Sequence, residues 1–139
     1  MSRLLANAPI RSIPAWHVAF QDSACPVIWH RPLKKGFRHC FAFGWDDRAD
    51  RWIVMDPLFD TVYLRCMTDR EVETMMRMIL DAGGSILYAK VQHEVKMRPR
   101  FLLTCVTAVE ALLGLSGCAL TPFRLYRHLL DRGATRIGG

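Results

Sequence analysis

The sequence predicts an α+β domain built on a mainly antiparallel sheet. Short apolar or alternating runs are joined by short polar turns, the pattern of strands that neighbour one another antiparallel. Three further segments carry helical spacing behind a start signal. Their order is strands, helix, strand, helix, helix.

Trp16 to Phe20 reads as a short strand, and Val27-Ile28-Trp29 as another or as loop. A basic loop, His30 to Gly36, leads into Phe37 to Trp45, a strand rich in aromatics. Asp46 to Arg51 is a polar turn, and Trp52 to Asp56 is a strand stopped by Pro57. Thr61 to Cys66 completes this group. Thr68-Asp69-Arg70-Glu71 is a capping box, in which the threonine hydroxyl and the glutamate carboxylate satisfy each other's free N–H groups. Val72, Met75, Met76, Ile79 and Leu80 follow at helical spacing, and Gly83 ends the helix. Ser85 to Val91 is a strand. A second helix covers Thr104 to Leu113, with Cys105, Ala108, Val109, Leu112 and Leu113 on one face and Gly114 as its stop. The third opens at Thr121-Pro122, an N-cap followed by proline at the first helical position. Phe123, Tyr126, Leu129 and Leu130 form its apolar stripe. These elements divide the chain into an N-terminal arm (1–15), one α+β domain (16–132) and a loose tail (133–139).

The chain has 139 residues, of which 51% are hydrophobic and 23% charged, which is the size and composition of one folded domain. No apolar run reaches the ~18 residues of a membrane span. The first residues lack the apolar stretch of about 7–15 residues found in secretory signals, so no signal peptide is expected. Five cysteines, Cys25, Cys40, Cys66, Cys105 and Cys118, show neither C-x-x-C nor zinc-finger spacing. Free thiols in a reducing compartment such as the cytoplasm are the expectation. The net charge of +6 comes largely from Arg31–Arg38 and Lys90–Arg100. No nucleic-acid motif accompanies these segments and no basic residues fall at recognition-helix spacing. They read as a solvated basic face, and nucleic acid ranks last among the partners considered.

Three residues are candidates to carry chemistry. Cys105 lies in the first turn of a predicted helix, where free N–H groups and the positive dipole end favour a thiolate. Its place on the apolar face equally suits a core cysteine. His39 shares a strand face with Phe37, Phe41 and Phe43. It is either a core histidine or a base held in an apolar pocket. Asp56 ends the next strand on the face of Trp52 and Val54. If Trp45 pairs with Trp52, Phe41 lies opposite Asp56, and His39 is its diagonal neighbour about 6–8 Å away by backbone; a slip of two residues would set His39 and Asp56 directly opposite, and Asp56-Pro57 equally suits the simple start of a turn. A carboxylate there fixes the imidazole tautomer and stabilises imidazolium. Together the three read as a Cys-His-Asp site: nucleophile, base and orienter, with the Cys105 N–H offered to an oxyanion. Cys40 points to the other strand face and reads as core. Cys25, Cys66 and Cys118 have no partner pattern. His17 is read as structural or lining the site, His128 as solvent-facing, and His93-Glu94 as a surface turn. No spacing among His17, His30, His39 and His93 demands a metal, and nothing calls for a cofactor.

Arg38-His39-Cys40-Phe41-Ala42-Phe43, Trp52-Ile53-Val54-Met55-Asp56 and Leu103-Thr104-Cys105-Val106-Thr107-Ala108-Val109 resemble, in that order, the circularly permuted papain-like proteins, which include the lecithin:retinol acyltransferase type and related bacterial amidases. In that group the cysteine helix follows the histidine strand. The resemblance spans roughly Trp16 to Leu115. It implies an antiparallel sheet packed on the cysteine helix, and cleavage or transfer at an amide, ester or thioester. Thr104 stands where many members carry asparagine, and Asp56 where many carry histidine. A second resemblance, to small tailed-bacteriophage proteins, rests on Gly36-Phe37-Arg38-His39, Trp52…Asp56-Pro57 and Leu120-Thr121-Pro122-Phe123. Two functions follow as expectations. The first is a thiol hydrolase or acyltransferase acting on a peptide, a peptidoglycan stem or a lipid ester. The second is an inactive structural or interaction protein of the same fold, a phage virion or tail component bound to other virion proteins.

Overall fold

The computed structural model describes residues 13–22, 33–58, 61–92, 104–115 and 119–138. Six strands, β1 (Ala15–Gln21), β2 (His39–Asp46), β3 (Arg51–Pro57), β4 (Val62–Met67), β5 (Ser85–Lys90) and β6 (Thr135–Ile137), form one sheet in the order β4-β3-β2-β1-β5-β6. Every neighbouring pair is antiparallel. Three helices, α1 (Asp69–Asp81), α2 (Cys105–Leu112) and α3 (Pro122–Asp131), complete the fold. The expected α+β class and antiparallel sheet are therefore observed.

The sheet is covered on both faces. Val18, Phe20, Cys40, Ala42, Met55, Leu87 and Ala89 pack against Val106, Val109 and Leu113 of α2 and its C-terminal end, and against Leu125, Tyr126 and Leu129 of α3. The alternate residues Ala19, Phe41, Phe43, Val54 and Ile86 pack against Val72 and Ile79 of α1. Double coverage explains why the central strands are almost continuously apolar: period-two alternation sends each residue to one core or the other. β4 differs, because it has a neighbour on one side only and its side chains are exposed from Val62 to Cys66.

The hairpin between β2 and β3 sets the site. Asp46 Oδ1 accepts the N–H of Arg48 (3.0 Å) and Ala49 (3.4 Å), and Asp50 takes a left-handed φ of 50°. Such side-chain-to-backbone bonding is how aspartate nucleates a turn. The turn holds Trp45 opposite Trp52, and the pairing continues through Ala42↔Met55.

The predicted capping box of α1 is present: Thr68 accepts the Glu71 N–H, and the Glu71 carboxylate accepts the Thr68 N–H at 2.7 Å. Gly83 follows at φ +82°, the left-handed conformation that favours glycine after a helix. Gly84 is required by close approach, since a Cβ there would lie 2.7 Å from the Phe20 carbonyl oxygen. α3 opens as expected, with Thr121 accepting the Arg124 N–H and Pro122 in its first turn.

Four expectations are corrected or lie out of view. Thr135–Ile137, read as part of a loose tail, form β6 and pair with β5 through Ile86↔Ile137. Phe37 does not share the His39 face. Gly36 turns at φ +81°, β2 begins only at His39, and the Phe37 ring packs with Phe20, Phe123 and Tyr126 on the α3 side. The buried stripe of α2 is Val106, Val109 and Glu110, continued by Leu113, a rotation from the expected face that leaves Cys105 half-buried. Val27-Ile28-Trp29 lie outside the described residues. Among the described residues no helix is long and apolar enough to cross a membrane.

Candidate active site

The hairpin register, carried one pair beyond Ala42↔Met55, sets Phe41 opposite Asp56 and His39 on the diagonal. Side-chain reach closes that diagonal: His39 Nε2 and Asp56 Oδ1 are 2.7 Å apart. The pair is partly shielded, with side chains 14% and 21% exposed, so their attraction is less damped than in open water. The His39 ring also lies against Phe41, with centroids 6.3 Å apart.

Cys105 meets this pair from the start of α2. Thr104 is the N-cap of α2, its hydroxyl accepting the Thr107 N–H at 3.2 Å while the Thr107 hydroxyl accepts the Thr104 N–H at 2.8 Å. Cys105 is thus the first helical residue, and its own N–H stands outside the helix hydrogen-bond ladder. The half-buried Cys105 packs on the core that contains Cys40, and its sulfur is hydrogen-bonded to the Cys40 side chain, the His39 ring and the Cys40 backbone. Since Nε2 of His39 is held by Asp56, Nδ1 is the ring nitrogen left to serve the sulfur.

These contacts separate the acidities of the three groups. The hydrogen bond from the Cys40 thiol does most to stabilise a Cys105 thiolate. Burial opposes it, and the His39 ring, the Cys40 backbone and the His39 charge add to it, bringing the Cys105 pKa down to about 4. For His39 the largest influence is burial, which disfavours imidazolium. The hydrogen bonds to Asp56 and Cys105 and their negative charges together outweigh it and raise the pKa to about 9. Cys40 is pushed well above the usual thiol range by its bond to Cys105, by burial, and by the nearby negative charges of Cys105, Glu110 and Asp56. Between about 4 and about 9 the site therefore holds a thiolate facing an imidazolium, with a neutral thiol behind it.

The three residues singled out from the sequence are brought together. Two others were missed. The strand pattern marks Cys40 as core; it is fully buried and also hydrogen-bonds Cys105. Glu110 is 1% exposed within α2, and its Oε1 accepts the Ala119 N–H at 3.2 Å, tying the segment before α3 to the Cys105 helix. A carboxylate at an otherwise apolar helical position was the signal for it. His17 does not line the site. It sits among Phe43, Trp52 and Tyr88 on the α1 side, and burial lowers its pKa against a backbone hydrogen bond at Phe43. His128 is half-buried and accepts the Arg132 Nε–H at 2.8 Å. Cys66 is exposed, while Cys25, Cys118, His30 and His93 lie outside the described residues. Among the described residues no group of three or more His, Cys, Asp or Glu is arranged to hold a metal ion. A cavity of about 290 Å³ between β5 and the ends of α2 and α3 is lined by Tyr88, Lys90, Leu113, Arg132 and Thr135, and by none of the three site residues.

No protein-family model matches the chain, and neither a curated protein nor a solved structure matches it.

Proposed function

We propose that the protein is a cysteine hydrolase or acyltransferase acting on amide or ester bonds, with Cys105 as nucleophile, His39 as general acid–base and Asp56 as the group that orients His39. The observation that carries this reading is the chain of contacts from Cys105 to His39 to Asp56, closed by the 2.7 Å bond between His39 and Asp56. Such a chain at a helix N-terminus is what thiol acyl-transfer chemistry requires. The order of elements, a histidine strand, an aspartate strand and then a cysteine helix, supports assigning it to the permuted papain-like architecture.

In this mechanism the Cys105 thiolate attacks the substrate carbonyl carbon, and the negative charge moves to the oxygen. The Cys105 N–H, at the positive end of α2, lies where it can donate to that oxygen. The imidazolium of His39 protonates the departing amine or alcohol, leaving a thioester on Cys105. His39, now neutral, takes a proton from water or from an acceptor nucleophile, which attacks the thioester and frees the thiolate. Asp56 holds the His39 ring in place through their hydrogen bond and offsets the positive charge whenever the ring is protonated. Peptides, peptidoglycan stems and lipid esters all present the required carbonyl.

The test is acyl-enzyme formation. Incubation with an activated aryl ester is expected to give a burst of aryl alcohol equal to the protein present, and an acyl mass addition on Cys105. Cys105→Ala is expected to abolish both. Acylation at another cysteine, or a burst that survives in Cys105→Ala, would reject the assignment.

A further inference from the structure

We infer that Cys105 is also an oxidative modification site: a hydroperoxide converts it to a sulfenic acid, which Cys40 captures as an internal Cys40–Cys105 disulfide that reversibly silences the site. The inference rests on the reading of Cys105 as an accessible thiolate. Its own support is the second cysteine, which the acyl-transfer mechanism does not use as a nucleophile.

Cys105, at the start of α2, packs against the apolar cluster that holds Cys40 of β2, and the two thiols are hydrogen-bonding neighbours there. A disulfide between them would bring the two sulfurs to ~2.05 Å. Access is unequal, because Cys40 has no exposed surface while Cys105 is half-buried. An oxidant therefore meets Cys105 first. Cys40 is placed as a resolving thiol, which converts an oxidised sulfur to a disulfide before it climbs to the irreversible acids.

The steps balance. The Cys105 thiolate attacks the terminal oxygen of a hydroperoxide, forming S–O and breaking O–O. The departing alkoxide or hydroxide takes the His39 proton and leaves as alcohol or water, and Cys105 becomes a sulfenic acid, oxidised by two electrons. The Cys40 sulfur then attacks the Cys105 sulfur, and the displaced hydroxide leaves as water with the Cys40 proton. The negative charge on Cys105 holds the Cys40 proton in place in the reduced protein. Oxidation removes that charge and so eases the loss of the Cys40 proton at the step that needs it. Two equivalents of an external thiol reverse the change.

The experiment uses the full chain, reduced, at pH 6. One portion is alkylated directly with iodoacetamide. A second is treated with hydrogen peroxide, alkylated and mapped by mass spectrometry, and a third is returned to dithiothreitol before alkylation. The expected result is rapid Cys105 alkylation in the first, loss of it with a linked Cys40–Cys105 peptide in the second, and near-complete recovery in the third. Cys40→Ser is expected instead to accumulate sulfenic acid trapped by a dimedone reagent and to lose dithiothreitol recovery. The wild-type map decides the matter even if that variant fails to fold. Rapid alkylation before peroxide, followed by sulfinic acid or a disulfide to Cys25, Cys66 or Cys118, would overturn the inference and leave the hydrolase reading standing. Absence of Cys105 alkylation in the first portion would overturn the thiolate reading, and this inference with it.

Discussion

Replacing His39 with alanine is expected to slow alkylation of Cys105 at pH 6 by roughly 10- to 100-fold. In the native site the thiolate is held by the Cys40 thiol, the His39 ring and the Cys40 backbone, which together carry its pKa down to about 4. The substitution removes both the hydrogen bond and the positive charge of the ring but leaves Cys40. Burial, which favours the neutral thiol, then faces fewer opponents. The Cys105 pKa rises toward the ordinary thiol value of ~8.5, and the thiolate fraction at pH 6 falls. The exposed Cys66 serves as an internal control, because nothing in the substitution touches it. A rate at Cys105 that is unchanged relative to Cys66 would mean that the imidazole does not support the thiolate.

Replacing Asp56 with asparagine is expected to lower the rate of thioester formation by roughly 100-fold. The asparagine keeps a hydrogen-bonding group near His39 Nε2 but removes the charge that balances imidazolium. The His39 pKa should fall from about 9, because burial already pulls it down and one of its two charged neighbours is gone. The signature is a pH profile whose basic limb moves to lower pH, with the imidazole signal in an NMR titration moving by the same amount. The acid limb, set by Cys105, should move less. A rate loss with both limbs in place would mean that Asp56 only holds the strand end together.

The candidate trio was legible because each member depends on local rules. Asp46 and Asp50 mark the turn, Trp45 and Trp52 bracket it, and once they pair the register follows with a period of two, making His39 and Asp56 diagonal neighbours. Thr104 capped a helix whose next residue was Cys105. What was illegible depends on long-range placement. Alternation put Cys40 on the face opposite His39, and no local pattern tells that α2 begins over that face with its first residue meeting both. The α2 stripe was read one position off because Glu110 breaks the apolar pattern. Glu110 is buried, with its carboxylate accepting the Ala119 N–H from beyond the helix. Thr135-Arg136-Ile137 is too short a run to declare a strand between glycines. It becomes one because β5 offers an unpaired edge. Its alternation of β-branched residues was the one signal available.

The central claim is that Cys105 rests as a thiolate paired with the imidazolium of His39. The most direct measurement is a titration of thiolate ultraviolet absorbance on the folded protein, taken as the difference between the wild type and Cys105→Ala. The account predicts a Cys105 midpoint near pH 4, with the His39 imidazole signal titrating separately near pH 9. A Cys105 midpoint at the ordinary thiol value of ~8.5 or above would contradict it.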